Sequence, residues 1–136
     1  MLHALIYAAA YCLDGIILLA LGFVVLDALT PGALGRRIYE DRSMNAALVV
    51  SAQFLSLGAI MFTCIWVNGD GWHGSSWTLA FGGLGIVLQA ITFLLLDVLT
   101  PGSLREIAVH EAFHPGALVA AAAMLAVGAI VCASIA

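Results

Sequence analysis

Four long apolar stretches divide the chain, and shorter segments richer in polar residues separate them. An α-helix rises 1.5 Å per residue, so roughly 20 apolar residues are enough to cross about 30 Å of hydrocarbon. The stretches do not alternate between apolar and polar positions, as the strands of a membrane β-barrel do. The pattern predicts an all-α membrane protein with four transmembrane helices, at about Leu5–Leu29, Met44–Val67, Trp77–Leu99 and Pro115–Ile135.

The composition supports a single membrane domain over residues 1–136. Hydrophobic residues make up 64% of the chain and charged residues 9%, whereas an ordinary soluble domain has about 25% charged residues. The first stretch lacks a basic start and is too long for the core of a signal peptide, so it is expected to remain as a helix. Lysine is absent and the four arginines lie in two loops. The basic surface that binds nucleic acid is therefore not expected.

An internal repeat becomes visible when the sequence is shifted against itself by 70 residues. Residues 27–34 read Asp-Ala-Leu-Thr-Pro-Gly-Ala-Leu and residues 97–104 read Asp-Val-Leu-Thr-Pro-Gly-Ser-Leu. At the same offset, Gly-Ala-Ile occurs at 58–60 and again at 128–130. Self-similarity at a fixed period indicates a duplicated unit. Each unit holds two helices, which predicts two parallel repeats, at about 5–67 and 75–136.

The doubled Asp-x-Leu-Thr-Pro-Gly-x-Leu, the later Gly-Ala-Ile and the four-helix layout resemble the YjfL-like family of small bacterial inner-membrane proteins. That family is a domain of unknown function, also described as an uncharacterised transmembrane family. The resemblance covers nearly the whole chain. It implies a location in the bacterial plasma membrane, but it implies no established reaction.

The two copies of the motif predict the same local structure at the end of the first and third helices. The residue before a proline is biased away from helical geometry, so each helix should end near the threonine. The threonine and proline can then start a short interfacial helix. Each aspartate either anchors that short helix or lines a cytoplasmic vestibule for cations or protons. The predicted motif residues are Asp27, Thr30, Pro31, Gly32, Asp97, Thr100, Pro101 and Gly102.

The distribution of arginine predicts the orientation in the membrane. Arg36, Arg37 and Arg42 lie between the first two helices, and Arg105 lies between the last two. Cytoplasmic loops carry an excess of arginine and lysine, so both of these loops should be cytoplasmic and both termini should lie outside. The three tryptophans, Trp66, Trp72 and Trp77, flank the connection without arginine, where an aromatic belt is expected.

Rows of small residues predict where helices pack. In lipid, helices associate through close van der Waals contact, which small side chains permit. Such a row favours either a tight bundle or contact between subunits. The predicted packing residues are Ala52, Ser56, Ala59 and Thr63 on the second helix, and Ala122, Ala126, Ala129 and Ala133 on the fourth.

Two polar residues inside apolar stretches are candidates for an ion pathway. His3, Tyr7, Tyr11 and Asp14 form one polar stripe on the outer half of the first helix. A carboxylate at membrane depth is costly and suggests function, but a wet outer half of the helix or hydrogen bonds from the two tyrosines would also explain it. Gln89 is either a pathway residue or an interhelical hydrogen-bonding group.

A literal His-Glu-x-x-His, which holds zinc in metalloproteases, occurs at His110 to His114. Pro115 follows directly and disfavours helical geometry at His114. The first repeat has no corresponding histidines, so a metal site at His110 and His114 is not expected, and no other catalytic motif or cofactor-binding motif is present.

These patterns favour an oligomeric membrane scaffold, or a subunit of a bacterial envelope complex, without enzyme activity or cofactor. Membrane lipids, further copies of the chain or other membrane-protein subunits are the expected partners. The alternative is an ion or proton channel or transporter that uses membrane-embedded aspartates.

Overall fold

The computed structural model describes residues 1–29, 44–68, 71–99 and 115–136. They form four α-helices, each long and apolar enough to cross a membrane. The predicted all-α membrane fold with four spans is confirmed. The helices are α1 (Leu2–Leu29), α2 (Met44–Asn68), α3 (Gly71–Leu99) and α4 (Pro115–Ile135).

The third helix begins six residues before the predicted start at Trp77, so the expectation of a loop over residues 71–76 was wrong. Hydropathy detects the part of a helix that lies in hydrocarbon, but a helix can continue into the polar interface. Two polar side chains near the beginning of α3 bond to their own helix. The hydroxyl of Ser76 donates to the carbonyl of Trp72 at 3.3 Å, and that of Thr78 donates to the carbonyl of Gly74 at 2.9 Å.

The two central helices of the bundle are α2 and α3, since each contacts all three other helices. The most extensive contact joins α2 to α4, and α1 packs mainly against α3 and α2. We call the end where α1 and α3 finish and α2 and α4 begin the loop end. We call the opposite end, where α1 begins and α4 finishes, the terminus end.

Two apolar clusters fill the interior. The cluster nearer the loop end includes Leu26, Val49 and Phe93, which are almost fully buried. The cluster nearer the terminus end consists of Leu18, Leu57, Ile60, Met61, Ile86 and Val131. Only three residues of α1 are buried, whereas α2 buries eleven, so α1 covers one side of a core that α2 organises.

Glycines set the spacing between the helices. A Cβ atom on Gly128 of α4 would collide with the hydroxyl oxygen of Ser56 on α2 and would lie 3.1 Å from the Cα of that serine. A Cβ on Gly85 of α3 would lie 2.7 Å from Cδ1 of Ile60. Close backbone approach at small residues is the usual way in which membrane helices pack.

Large apolar side chains cover the outside of the bundle, among them Ile16, Phe62 and Val98. Such a continuous apolar surface fits lipid rather than water. Trp66, Trp72 and Trp77 are all exposed near the terminus end, and Trp66 and Trp77 stack on Phe62 and Phe81 respectively.

Candidate functional site

A polar network lies in the middle of the bundle, between the two apolar clusters. It is formed by Gln53 and Ser56 of α2 and by Gln89 of α3, which are 2%, 2% and 0% exposed. Gln53 lies nine residues from the start of α2, or about 13 Å along the helix axis. Gln89 lies ten residues from the end of α3, or about 15 Å. The network is therefore deep within the span.

Hydrogen bonds of this network connect all four helices. The side-chain amide nitrogen of Gln53 donates to the carbonyl of Gly22 on α1 at 2.9 Å. The amide nitrogen of Gln89 donates to the Ser56 hydroxyl oxygen at 2.5 Å. That hydroxyl in turn donates to the carbonyl of Met124 on α4 at 3.0 Å. In lipid, polar groups must be satisfied within the protein, so the network holds the bundle together.

The partners determine the orientation of both amides. A backbone carbonyl only accepts hydrogen bonds, so Gln53 must present its nitrogen to Gly22. The Ser56 hydroxyl uses its hydrogen towards Met124, so Gln89 must donate to it. The two Oε1 oxygens are consequently left over. Both are buried, and neither has a hydrogen-bond donor within reach among the described residues.

A second polar cluster joins α1 to the beginning of α3 near the terminus end. The hydroxyl of Ser75 donates to a carboxylate oxygen of Asp14 at 2.5 Å. The hydroxyl of Tyr11 donates to the carbonyl of Gly71 at 2.9 Å. The ring of Tyr7 packs edge-on against Trp72, with centroids 5.3 Å apart. Asp14 is half-buried, so the predicted stripe lies on the contact with α3, apart from the exposed His3.

The structure does not bring Asp14 and Gln89 together. Ser75, which bonds to Asp14, precedes Gln89 by 14 residues on α3, or about 21 Å along the helix. Leu18, Ile60 and Ile86 fill the interior between the two levels. The two candidate pathway residues belong to separate polar clusters with an apolar layer between them.

The motif aspartates lie at the loop end. Asp27 and Asp97 are half-buried, and each takes part in a hydrogen bond, an ion pair or another electrostatic interaction. The other predicted motif residues fall outside the described ranges, as do the predicted interfacial helices, the arginines and the histidines of the His-Glu-x-x-His string. These residues are Thr30, Pro31, Gly32, Thr100, Pro101, Gly102, His110 and His114. Among the described residues, no three His, Cys, Asp or Glu side chains are grouped as metal ligands would be.

The two predicted packing rows have different positions. On α2, Ala52 and Ser56 are buried in the bundle, Ala59 is exposed, and Thr63 is half-buried with its hydroxyl bonded to the Ala59 carbonyl. On α4, all four alanines of the row are exposed: Ala122, Ala126, Ala129 and Ala133. The face that α4 turns to the bundle consists instead of Ala117, Ala120, Ala121, Met124, Gly128 and Val131.

Sequence reasoning did not single out Gln53, although it belongs to the central network. The available signal was an amide side chain in the interior of an apolar helix. It lies three residues before Ser56, so the two side chains are neighbours on the helix surface. Sequence reasoning also missed Asn45, which is fully buried at the start of α2 and has an interaction partner.

Four apolar spans tied by a buried polar network define a small α-helical membrane protein that crosses the bilayer several times. The chain belongs to the family described as Domain of Unknown Function (DUF350), whose model matches residues 1–135. This confirms the resemblance to an uncharacterised family of transmembrane proteins.

Two curated relatives are named as transmembrane proteins. A UPF0719 transmembrane protein of Mycolicibacterium paratuberculosis is 32% identical over 129 residues, which cover 92% of this chain and 83% of the relative. The UPF0719 transmembrane protein Mb2631 of Mycobacterium bovis is 28% identical over 142 aligned positions, covering 98% of this chain and 89% of the relative. No solved structure matches the chain.

Proposed function

We propose that this protein is an oligomeric scaffold or subunit of a complex in the bacterial envelope. The observation that carries the proposal is the position of the alanine row on α4. Ala122, Ala126, Ala129 and Ala133 follow 4-3-4 spacing on one face of the helix, and that face points out of the single bundle. Small residues at an exposed helix face allow a second helix to approach closely in lipid.

The surface beside this row has a shape that supports the proposal. A groove of about 250 Å³ runs between α2 and α4 on the outside of the bundle. Its lining is apolar and includes Ala122, the first alanine of the row. Ser56 of α2 lies against Gly128 of α4, and the two helices run in the same direction. Ala59 is exposed one turn beyond Ser56, so it lies at the level of the alanine row. A helix from a second copy would pack on this surface.

The proposed location is the bacterial plasma membrane, with both termini outside and the two halves of the chain as parallel copies. Arginine occurs only in the two loops of the loop end, which supports a cytoplasmic position for that end. Asp27 and Asp97, 70 residues apart, are both half-buried at the loop end and both engaged in interactions, as expected for corresponding positions of a repeat.

A larger side chain in the alanine row should separate the subunits and leave the fold of each subunit intact. Replacement of Ala126 by leucine places a branched side chain on the proposed contact face, without touching the buried face of α4. We expect a loss of oligomer when membranes are cross-linked with a photoactivated reagent that does not require lysine, which this chain lacks. The midpoint of thermal unfolding should stay unchanged.

The matched control is Ala20→Leu, because Ala20 is also an exposed alanine inside a membrane helix but lies on α1. It should cross-link like the wild type. If Ala126→Leu and Ala20→Leu give the same cross-linked products as the wild type, the alanine row faces lipid and the proposed interface is incorrect.

The orientation can be tested with single cysteines in a protein whose three native cysteines have been replaced. Ser76 is exposed near the terminus end, so a cysteine there should react with an impermeant thiol reagent in intact cells. Cysteines within 36–42 and 105–111 should react only after the membrane is opened. Labelling of these two loops from outside would reverse the proposed topology.

A channel or transporter for ions or protons is the second candidate. The presence of the Asp14 carboxylate within a membrane helix favours it. This carboxylate lies twelve residues from the start of α1, half-buried beside Ser75 and close to the exposed tryptophans of the terminus end. An ionisable group inside a membrane span suggests an ion pathway. The apolar layer between Asp14 and the central network favours the scaffold instead.

Purified protein in liposomes should show no more proton or monovalent-cation flux than protein-free liposomes, with membrane potentials of either sign. The Asp14→Asn variant provides the matched comparison, because the amide keeps the shape of the carboxylate and can still accept the Ser75 hydrogen bond. A wild-type flux that disappears in Asp14→Asn would establish the transporter.

A further inference from the structure

The two leftover amide oxygens of the central network point to a ligand. Oε1 of Gln53 and Oε1 of Gln89 are each buried without a hydrogen-bond donor among the described residues. Buried polar atoms in native proteins almost always have a partner, which is the protein itself, a water molecule or an ion. The penalty for an unpaired group is larger in lipid, where bulk water is absent.

The packing of α2 against α3 places the two amides at the same level. Gly85 of α3 lies against Ile60 and Leu57 of α2. The two helices run in opposite directions, so one turn further towards the loop end brings Gln89 level with Gln53 and Ser56. The hydrogen bond from Gln89 to Ser56 gives the same alignment independently. Gln53 and Gln89 therefore lie at the same level of the bundle, on the two helices that contact each other.

The electrostatic surroundings favour a neutral ligand. The groups in contact within the network are two amides, one hydroxyl and two backbone carbonyls, none of which carries a charge. The nearest carboxylates along the helices are those of Asp27, five residues or about 7 Å beyond Gly22, and Asp97, eight residues or about 12 Å beyond Gln89. A metal cation here would have no carboxylate in contact to offset the cost of its desolvation.

We propose that Gln53 and Gln89 bind one shared water molecule, which donates one hydrogen bond to each Oε1 oxygen. Water carries two donor hydrogens, and the network presents two acceptors without donors. Buried waters commonly bridge polar groups that the protein leaves unsatisfied. The water joins α2 to α3 next to the direct bond from Gln89 to Ser56, and it completes the polar belt across the bundle.

The composition makes this site accessible to spectroscopy, because Gln53 and Gln89 are the only glutamines in the chain. Selective ¹⁵N labelling of glutamine and phenylalanine therefore identifies both side-chain amides, because phenylalanine has no side-chain nitrogen. In lipid bilayers, magnetisation transfer from water should reach the Gln53 side chain, while the backbone amide of the fully buried Phe93 receives none. Gln53 is the decisive reporter, because its protein partner is a carbonyl and not an exchanging hydroxyl.

A variant then tests whether the water is shared. Gln89→Met removes one acceptor while keeping an unbranched side chain, and the transfer to Gln53 should be lost or strongly reduced. Ile91→Met on the exposed side of α3 is the control and should leave the transfer unchanged. Absence of transfer to Gln53 in the folded wild type would overturn the proposal, and so would full transfer to Gln53 in Gln89→Met.

Discussion

Replacing Gly128 by alanine is expected to destabilise the protein strongly. The new Cβ would lie 2.9 Å from the Cβ and 3.1 Å from the Cα of Ser56, in addition to its collision with the hydroxyl. A backbone atom cannot move aside like the end of a flexible side chain, so α2 and α4 must separate. Overpacking of this kind costs about 1–3 kcal/mol, which should lower the midpoint of thermal unfolding in detergent.

The internal repeat supplies a matched control for this prediction. Gly58 of α2 occupies the position 70 residues before Gly128, within the same Gly-Ala-Ile, and a Cβ there would meet nothing within 4 Å. Alanine is favoured over glycine in a helix by roughly 0.5–1 kcal/mol, so Gly58→Ala should unfold at the same temperature or higher. Equal midpoints for Gly128→Ala and Gly58→Ala would show that α2 and α4 are not in close contact.

Replacing Ser56 by alanine should have the second-largest effect, because one hydroxyl serves two other helices. The change removes the donor to the Met124 carbonyl and the acceptor for the Gln89 amide. A buried donor left without a partner costs about 1–3 kcal/mol. We expect a lower unfolding midpoint. The chemical shift of the Gln89 side-chain amide should also change, because its hydrogen bond to Ser56 is lost.

Ser134→Ala is the control for this variant. Ser134 is exposed near the end of α4, and its hydroxyl bonds only to the Ile130 carbonyl of its own helix at 2.8 Å. Its replacement should leave both the midpoint and the Gln89 signal unchanged. If Ser56→Ala is as stable as Ser134→Ala, the central network does not contribute to the association of the helices.

The number and type of the helices could be predicted from the sequence because the length of an apolar stretch dominates the free energy of insertion into a bilayer. The beginning of α3 could not, because a helix that leaves the hydrocarbon no longer needs apolar residues. Gly71 and Ser75, at the beginning of α3, form hydrogen bonds with Tyr11 and Asp14 of α1. Those contacts depend on a neighbouring helix that hydropathy does not consider.

The side that each helix turns to the bundle was harder to predict than the helix itself. In a soluble helix the polar face identifies the outside, but in these spans nearly every position is apolar on all sides. A row of small residues then predicts contact without saying with which partner. Ala52 and Ser56 contact the bundle, whereas the alanine row of α4 does not.

The central network could be predicted only in part. Gln89 was recognised as either an interhelical hydrogen-bonding group or a pathway residue, and the structure places its amide on Ser56 of α2. The contribution of Gln53 depends on its contact with the Gly22 carbonyl, a backbone atom whose position follows from the packing of α1 against α2. Spacing along one helix contains no information about that contact.

The most direct test of the proposed function is the number of chains in one particle when the protein is taken from the membrane together with its native lipids. Native mass spectrometry of such lipid particles, prepared at low protein density, measures that number. The proposed interface on the alanine row of α4 predicts a single assembly with a fixed number of chains, at least two. A mass corresponding to one chain, unchanged as the amount of protein in the membrane rises, would contradict an oligomeric scaffold.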